Sequence, residues 1–289
     1  QGGSNSSGQG GQIPPDRGVN ITGINKKEQV AELKELVNKS DLKEKDIKSL
    51  VFESRKGHIK AFYYLLKNKK IKGKIPLDFY KEKYDLRGEE AVWHHFLKRN
   101  DWILGLNVDI KFIREFYSEQ KVGIENSKGR LSPKSDLLGL SDYTTLIELK
   151  HSNTKIFKEN KSSKSRTNTW DFTEDFIEGI SQCLGQKISF DKSYNLKEFV
   201  SEGDIRLDKT KHKTIDPKTI FIIGNRKIEF PHDDKNEHII KSETFERFRR
   251  NIRNIDIITF DELFERAYHL VYSQKINPDW FINENIEFE

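Results

Sequence analysis

The stretch from Ser135 to Lys150 constrains the fold of this chain more than any other, because its pairing can be counted. Ser135-Asp136-Leu137-Leu138-Gly139-Leu140 and Thr144-Thr145-Leu146-Ile147-Glu148-Leu149-Lys150 are two extended runs, and Ser141-Asp142-Tyr143 separates them. A three-residue loop pairs Leu140 with Thr144, and counting back sets Asp136 opposite Glu148. Side chains alternate along a strand, so Leu146, Glu148 and Lys150 share one face. Directly opposed side chains approach to about 4.5–5.5 Å between Cβ atoms, and like charges there repel. A cation between them removes the conflict. Hard oxygen ligands point to a divalent metal, Mg²⁺ with Mn²⁺ able to substitute, with Lys150 one pleat away.

Phosphodiester hydrolysis needs that combination. Charge on the phosphate must be neutralised, a water activated and the leaving oxygen stabilised, and a carboxylate-bound metal supplies all three. A lysine beside it can position the water or take its proton. The alternative is a surface ion pair, worth about 0–1 kcal/mol. Glu-x-Lys is common in a chain that is 34% charged. Glu32-Leu33-Lys34 and Asp109-Ile110-Lys111 repeat the pattern, but neither follows a partner strand carrying an in-register carboxylate.

The 289 residues suffice for one large or two small domains, and 19 Phe and 9 Tyr can build a core despite an apolar content of 34%. The lone cysteine, Cys183, excludes a disulfide framework and a Cys-rich zinc site, and reads as a core residue suited to a reducing cytoplasm. No apolar run is long enough to span a membrane and no signal peptide is visible. The net charge of +5 leans toward polyanionic partners. With no methionine in it, the chain is expected to be a processed or truncated piece.

Residues 1–22, rich in Gly, Ser and Gln, read as a flexible linker or expression scar. Residues 23–84 are expected to form a small helical subdomain, with stripes through Val30, Leu33 and Leu36, through Ile47, Leu50 and Val51, and a separate helix holding Phe62, Leu65 and Leu66. Ser40 is a candidate N-cap, and Gly73 and Pro76 break the pattern. Residues 85–289 are expected to form one domain with a C-terminal tail, and from about Leu86 to Leu270 they alternate helix and strand, which predicts an α/β domain, a mixed sheet flanked by helices. A helix near Gly88 carries Val92, Trp93, Phe96 and Leu97. Strands are expected at Val108–Ile113 and Phe116–Val122, at the hairpin, at Thr219–Ile223 and at Ile255–Ile258. The helix Thr173–Ser189 has an apolar stripe of Phe176, Ile180, Cys183 and Leu184, and a polar stripe of Asp175, Gly179, Gln182 and Gln186. Thr259 and Glu262 form a capping box for a last helix.

A helix with glutamate, then Asp-(x)11-Glu-x-Lys on a hairpin, then a helix with glutamine resembles the PD-(D/E)XK nuclease superfamily, although Pro133 stands three positions before Asp136 rather than adjacent to it. The chain is more closely similar to the Shedu family of bacterial anti-phage nucleases. That likeness is carried by Glu90-Ala91-Val92-Trp93-His94-His95-Phe96-Leu97, Asn100-Asp101-Trp102-Ile103-Leu104-Gly105, Lys134-Ser135-Asp136-Leu137-Leu138, Leu146-Ile147-Glu148-Leu149-Lys150, Gly179-Ile180-Ser181-Gln182, Phe221-Ile222-Ile223-Gly224-Asn225-Arg226 and Ile258-Thr259-Phe260-Asp261-Glu262-Leu263. It implies a PD-(D/E)XK restriction-endonuclease-like sheet and a Mg²⁺-dependent endodeoxyribonuclease in the bacterial cytoplasm, acting in antiviral defence. It also implies a homo-oligomer, with a tetramer suggested. By the same resemblance, Asp136 and Glu148 are metal ligands aided by Glu90 and the Leu149 carbonyl, Lys150 is the catalytic lysine, and Gln182 orients water or phosphate. Glu89 competes with Glu90 for its role, and Gln186 is a second candidate glutamine.

Lys155, Lys158, Lys161, Lys164 and Arg166 fill the segment from His151 to Asn168, either as a solvated loop or as phosphate contacts on DNA. His94 and His95 point about 100° apart on a helix, which suits core or surface roles better than one shared metal. His151 faces away from Lys150 if the strand continues. Arg247, Arg249, Arg250 and Arg253 have Glu246 at helical pairing distance, which favours a structural role. The rival to an enzyme is a non-catalytic nucleic-acid-binding or oligomeric scaffold module on the same fold.

Overall fold

The computed structural model describes residues 44–105, 115–121, 134–140, 144–159, 169–194, 217–273, 275–276 and 280–281, with the side chains of residues 44–52, 115–121, 134–140, 144 and 193–194 left out. The chain divides into two units, Gln1–Val51 and Phe52–Glu289. Of the first, only the opening turns of a helix are described. The expected segments 1–22 and 26–43 and the strand at 108–113 lie outside the described residues.

In chain order the elements are α1 (Glu44–Lys67), α2 (Pro76–Tyr84), α3 (Glu89–Arg99), α4 (Asp101–Leu104), β1 (Glu115–Lys121), β2 (Lys134–Leu140), β3 (Thr144–Leu149), α5 (Glu174–Tyr194), β4 (Lys218–Ile222), α6 (Arg226–Glu229), α7 (Asn236–Asn251), β5 (Ile255–Ile258) and α8 (Phe260–Tyr272). The five strands form one sheet in the order β1-β2-β3-β4-β5. β1, β2 and β3 pair antiparallel, while β3, β4 and β5 run parallel. Parallel neighbours need long crossovers, and α5 and α7 lie within them. The hairpin register runs from Leu140↔Thr144 to Leu137↔Ile147, as counted from the loop length. Asp136 is thus next in line opposite Glu148.

Helices cover both faces of the sheet. Ile147, Leu149, Ile220, Ile222 and Ile258 pack with residues of α1, α3 and α8. Phe62 of α1 lies 5.5 Å from Trp93 and 5.4 Å from Phe264, ring centroid to centroid. These contacts place the second half of α1 in the same unit as the sheet, so the chain divides at Val51/Phe52 and not at residue 84. The two helices expected around Ile47 and Phe62 are one. Gly57 sits inside it with open space around its Cα, and a helical glycine costs only about 1 kcal/mol. Pro76 begins a helix that the sequence pattern missed, because proline is well suited to the first helical position.

On the other face Phe221, Ile223, Ile255 and Ile257 pack with Phe176 and Cys183 of α5 and Phe245 of α7. The buried stripe of α5 is Phe176, Cys183 and Phe190, whereas Leu184, expected in it, is 42% exposed. Gly179 explains the rotation. A Cβ there would stand 2.2 Å from the Phe221 ring, so α5 lies against the sheet at that point. Among the described residues no helix is long and apolar enough to cross a membrane.

Candidate active site

Register and helix approach together build a polar cluster at the carboxyl end of β3. Glu148 pairs with Phe221 across the parallel ladder, so its side chain shares the face that α5 covers. From the close approach at Gly179, three and seven residues further on α5 return to the same side. Those residues are Gln182 and Gln186. Gln186 Nε2 donates to Glu148 Oε2 at 2.6 Å, and both residues are buried. Lys150 Nζ donates to Gln182 Oε1 at 2.8 Å and lies 3.6 Å from Glu148 Oε1. Gln182 Nε2 in turn donates to Glu178 Oε1 at 3.3 Å. The sequence ranked Gln182 above Gln186, yet Gln186 is the one bonded to the carboxylate. Its seven-residue spacing from Gly179 was the available signal.

Glu89 and Glu90 stand in the first turn of α3. Each has a carboxylate oxygen 3.8 Å from a ring nitrogen of His151, the residue after Lys150. His151 therefore turns to the α3 side while Lys150 turns to α5. The Asp136 side chain is outside the described residues. Among the described residues no three His, Cys, Asp or Glu side chains converge to hold a metal ion. The available donors are nevertheless hard oxygens: the buried Glu148 carboxylate, and Asp136 at the facing register position. That set fits Mg²⁺ or Mn²⁺.

The chain leaving Lys150 is pinned. Lys150 N donates to Ile222 O at 2.9 Å and Gly224 N to His151 O at 3.1 Å. Gly224 has φ +62, and a Cβ on it would meet the Thr154 carbonyl at 2.6 Å. The buried Glu229 carboxylate accepts Ile156 N at 2.8 Å and also Phe157 N. Burial raises the Glu229 pKa against the pull of those two amides. Lys155 and Lys158 are exposed on this anchored segment, with Lys158 3.7 Å from Glu174. Lys161, Lys164 and Arg166 lie outside the described residues.

A model of the family described as Shedu protein SduA, C-terminal, matches residues 87–264, more than half of the chain. The chain belongs to the Shedu family. It is similar to the Shedu protein SduA of Bacillus cereus (strain B4264), at 27% identity over 186 residues, which cover 63% of this chain and 45% of that relative. The chain thus spans less than half the length of the curated relative it matches. The five described strands of this Shedu chain fall inside the matched family span.

Three other features of the Shedu chain are structural. His95 Nδ1 sits 3.0 Å from Tyr80 OH and packs on Tyr84. Arg249 and Arg250 pair with Glu246, and Arg249 reaches Glu262 at 2.8 Å. Arg226 contacts Asp261, Glu262 and Glu265, at 3.1, 3.3 and 3.2 Å. A cleft of about 610 Å³ beside Arg226, Phe230 and His238 is lined by neither Glu148 nor Lys150.

Proposed function

We propose that the chain is a metal-dependent DNA endonuclease of the PD-(D/E)XK type, acting in bacterial anti-phage defence. The observation that carries this reading is the meeting of Glu148, Lys150, Gln182 and Gln186 at one strand end, beside the register position of Asp136. Family membership supports it.

Asp136 and Glu148 would hold Mg²⁺. The resemblance would add Glu90, with Glu89 as its alternative, although both pair with His151 on the α3 side of the strand end. An ion held by these carboxylates would supply neutralisation of phosphate charge and a more acidic water. Gln186 fixes the rotamer of Glu148, so the carboxylate is oriented in advance. Gln182 holds the Lys150 ammonium, which is placed to orient the attacking water and steady the charge that develops on phosphate. The expected products are a 5′-phosphate and a 3′-hydroxyl. The resemblance extends the proposal to a homo-oligomer, which mass photometry would test.

Plasmid nicking in Mg²⁺ is the direct assay. Lys150→Ala and Asp136→Ala are each expected to lower it by about 10²–10⁴-fold, and unchanged cleavage by both variants overturns the reading. The rival reading is a non-catalytic nucleic-acid-binding or scaffold module on the same fold. That module would retain DNA and show no metal-dependent nicking.

A further inference from the structure

The turn between α1 and α2 carries positive charge that the hairpin site does not use. Residues 67–74 read Lys-Asn-Lys-Lys-Ile-Lys-Gly-Lys, and the first acid after them is Asp78. Every residue from Lys69 to Ile75 is exposed. The backbone is ordered all the same. Ile71 N donates to Lys74 O at 2.8 Å, and Lys74 N to Ile71 O at 3.0 Å. Between them Lys72 has φ 47 and Gly73 φ 84. Reciprocal bonds around two left-handed residues make a type I′ hairpin turn, whose first position favours Asn, Asp or Gly. Lys72 holds a conformation uncommon for its type. Asn68 closes the other end, its Oδ1 accepting Leu77 N at 3.1 Å.

Among the described residues the charge is also uncompensated: Lys69, Lys70, Lys72 and Lys74 make no ion pair, although Lys74 lies 4.7 Å from the Phe79 ring centroid. Lys67, at the base, donates to the Phe281 carbonyl. Burial and the neighbouring Lys69 lower its pKa to about 8. The segment after Lys150 differs, because Glu159, Asp171, Glu174 and Asp175 lie close in sequence to its lysines.

We propose that this lysine hairpin is a second DNA contact, gripping the phosphate backbone without reading sequence. Naming that contact rests on the nuclease reading above. A preformed turn displaying four cations suits phosphates, which need charge rather than base recognition. An anionic membrane is the weaker partner. A polybasic patch anchors stably only beside a second, apolar signal such as an acyl chain, and here Ile71, Ile75 and Phe79 are the exposed apolar side chains, at 39%, 41% and 45%.

The test measures duplex DNA binding by fluorescence anisotropy, in EDTA, from 50 to 300 mM KCl. The full chain carries Lys150→Ala, alone or with Lys69→Gln, Lys70→Gln, Lys72→Gln and Lys74→Gln. The four glutamines are expected to reduce the log–log salt slope by roughly 3 and to weaken binding at least tenfold at 150 mM. Thermal melting checks that both proteins are folded, and Lys70→Glu alone should weaken binding in the same direction. An unchanged slope and affinity overturns the proposal. So does loss of binding to phosphatidylserine vesicles with DNA binding intact. Because binding is read without metal in a protein lacking Lys150, the result is independent of whether the chain cleaves.

Discussion

At the end of β3, Glu148 meets one amine, Lys150 at 3.6 Å, and one amide, Gln186 at 2.6 Å. Beyond the end of β4, Arg226 meets three carboxylates within 3.3 Å, and Arg249 joins the same network through Glu262. Both clusters follow parallel strands, and both bury acids. Their donors differ. A guanidinium is a planar fork whose charge is permanent and whose bonds are fixed in direction. An amine and two amides can trade partners as a charged ligand arrives, without leaving a fixed cation behind. The arginine cluster therefore ties α6, α7 and α8 together, while the lysine cluster can carry the exchange of partners that the proposed activity requires.

The comparison breaks most sharply on stability. Arg226→Ala takes the cation from Asp261, which is 0% exposed, while Glu262 keeps Arg249 and Glu265 keeps Lys227, and is expected to cost about 3–5 kcal/mol in urea unfolding. Lys150→Ala leaves the buried Glu148 carboxylate its Gln186 bond and should cost less, about 1–3 kcal/mol. Equal losses from the two variants would erase the distinction.

Gly179→Ala tests how the lysine cluster is assembled. The new methyl must push α5 off Phe221, at an expected cost of about 1–3 kcal/mol. The same displacement moves Gln182 and Gln186, so nicking should fall even at temperatures where the variant is fully folded. Full activity in a folded Gly179→Ala protein would show that the helix approach does not position the glutamines.

The last effect is one of pH. Burial raises the Asp261 pKa to about 6 despite Arg226. Between roughly pH 4 and 6 the folded chain keeps a proton that the unfolded chain has released, so stability falls as pH rises through that window. Asp261→Asn removes this slope. The variant should therefore gain on the wild type from pH 4 to pH 7 in calorimetric melts. A constant difference across that range would contradict the assignment.

Local signals were legible. The three-residue loop fixed the hairpin register, and the Thr259–Glu262 box starts α8, with Thr259 N donating to Glu262 Oε2 at 3.1 Å. The apolar pairs Val92-Trp93 and Phe96-Leu97 are buried on α3. What escaped depended on distant partners. The Arg226 network joins residues 35–39 positions apart in sequence. Leu184 fitted a helical stripe, but the stripe's direction was set by Phe221 on another element. Pro76 carried a breaker signal and a starter signal together, and only the packing of Leu77 decided between them.

The site thus depends on a count as well as on chemistry. Three residues separate Leu140 from Thr144, and that parity decides whether position 136 shares a side of the sheet with position 148. An insertion there that slips the pairing by one residue would turn the first acid to the opposite side while leaving every proposed catalytic residue in the chain. Inactive Shedu homologues should therefore be sought among odd-length indels in this linker, and not only among substitutions.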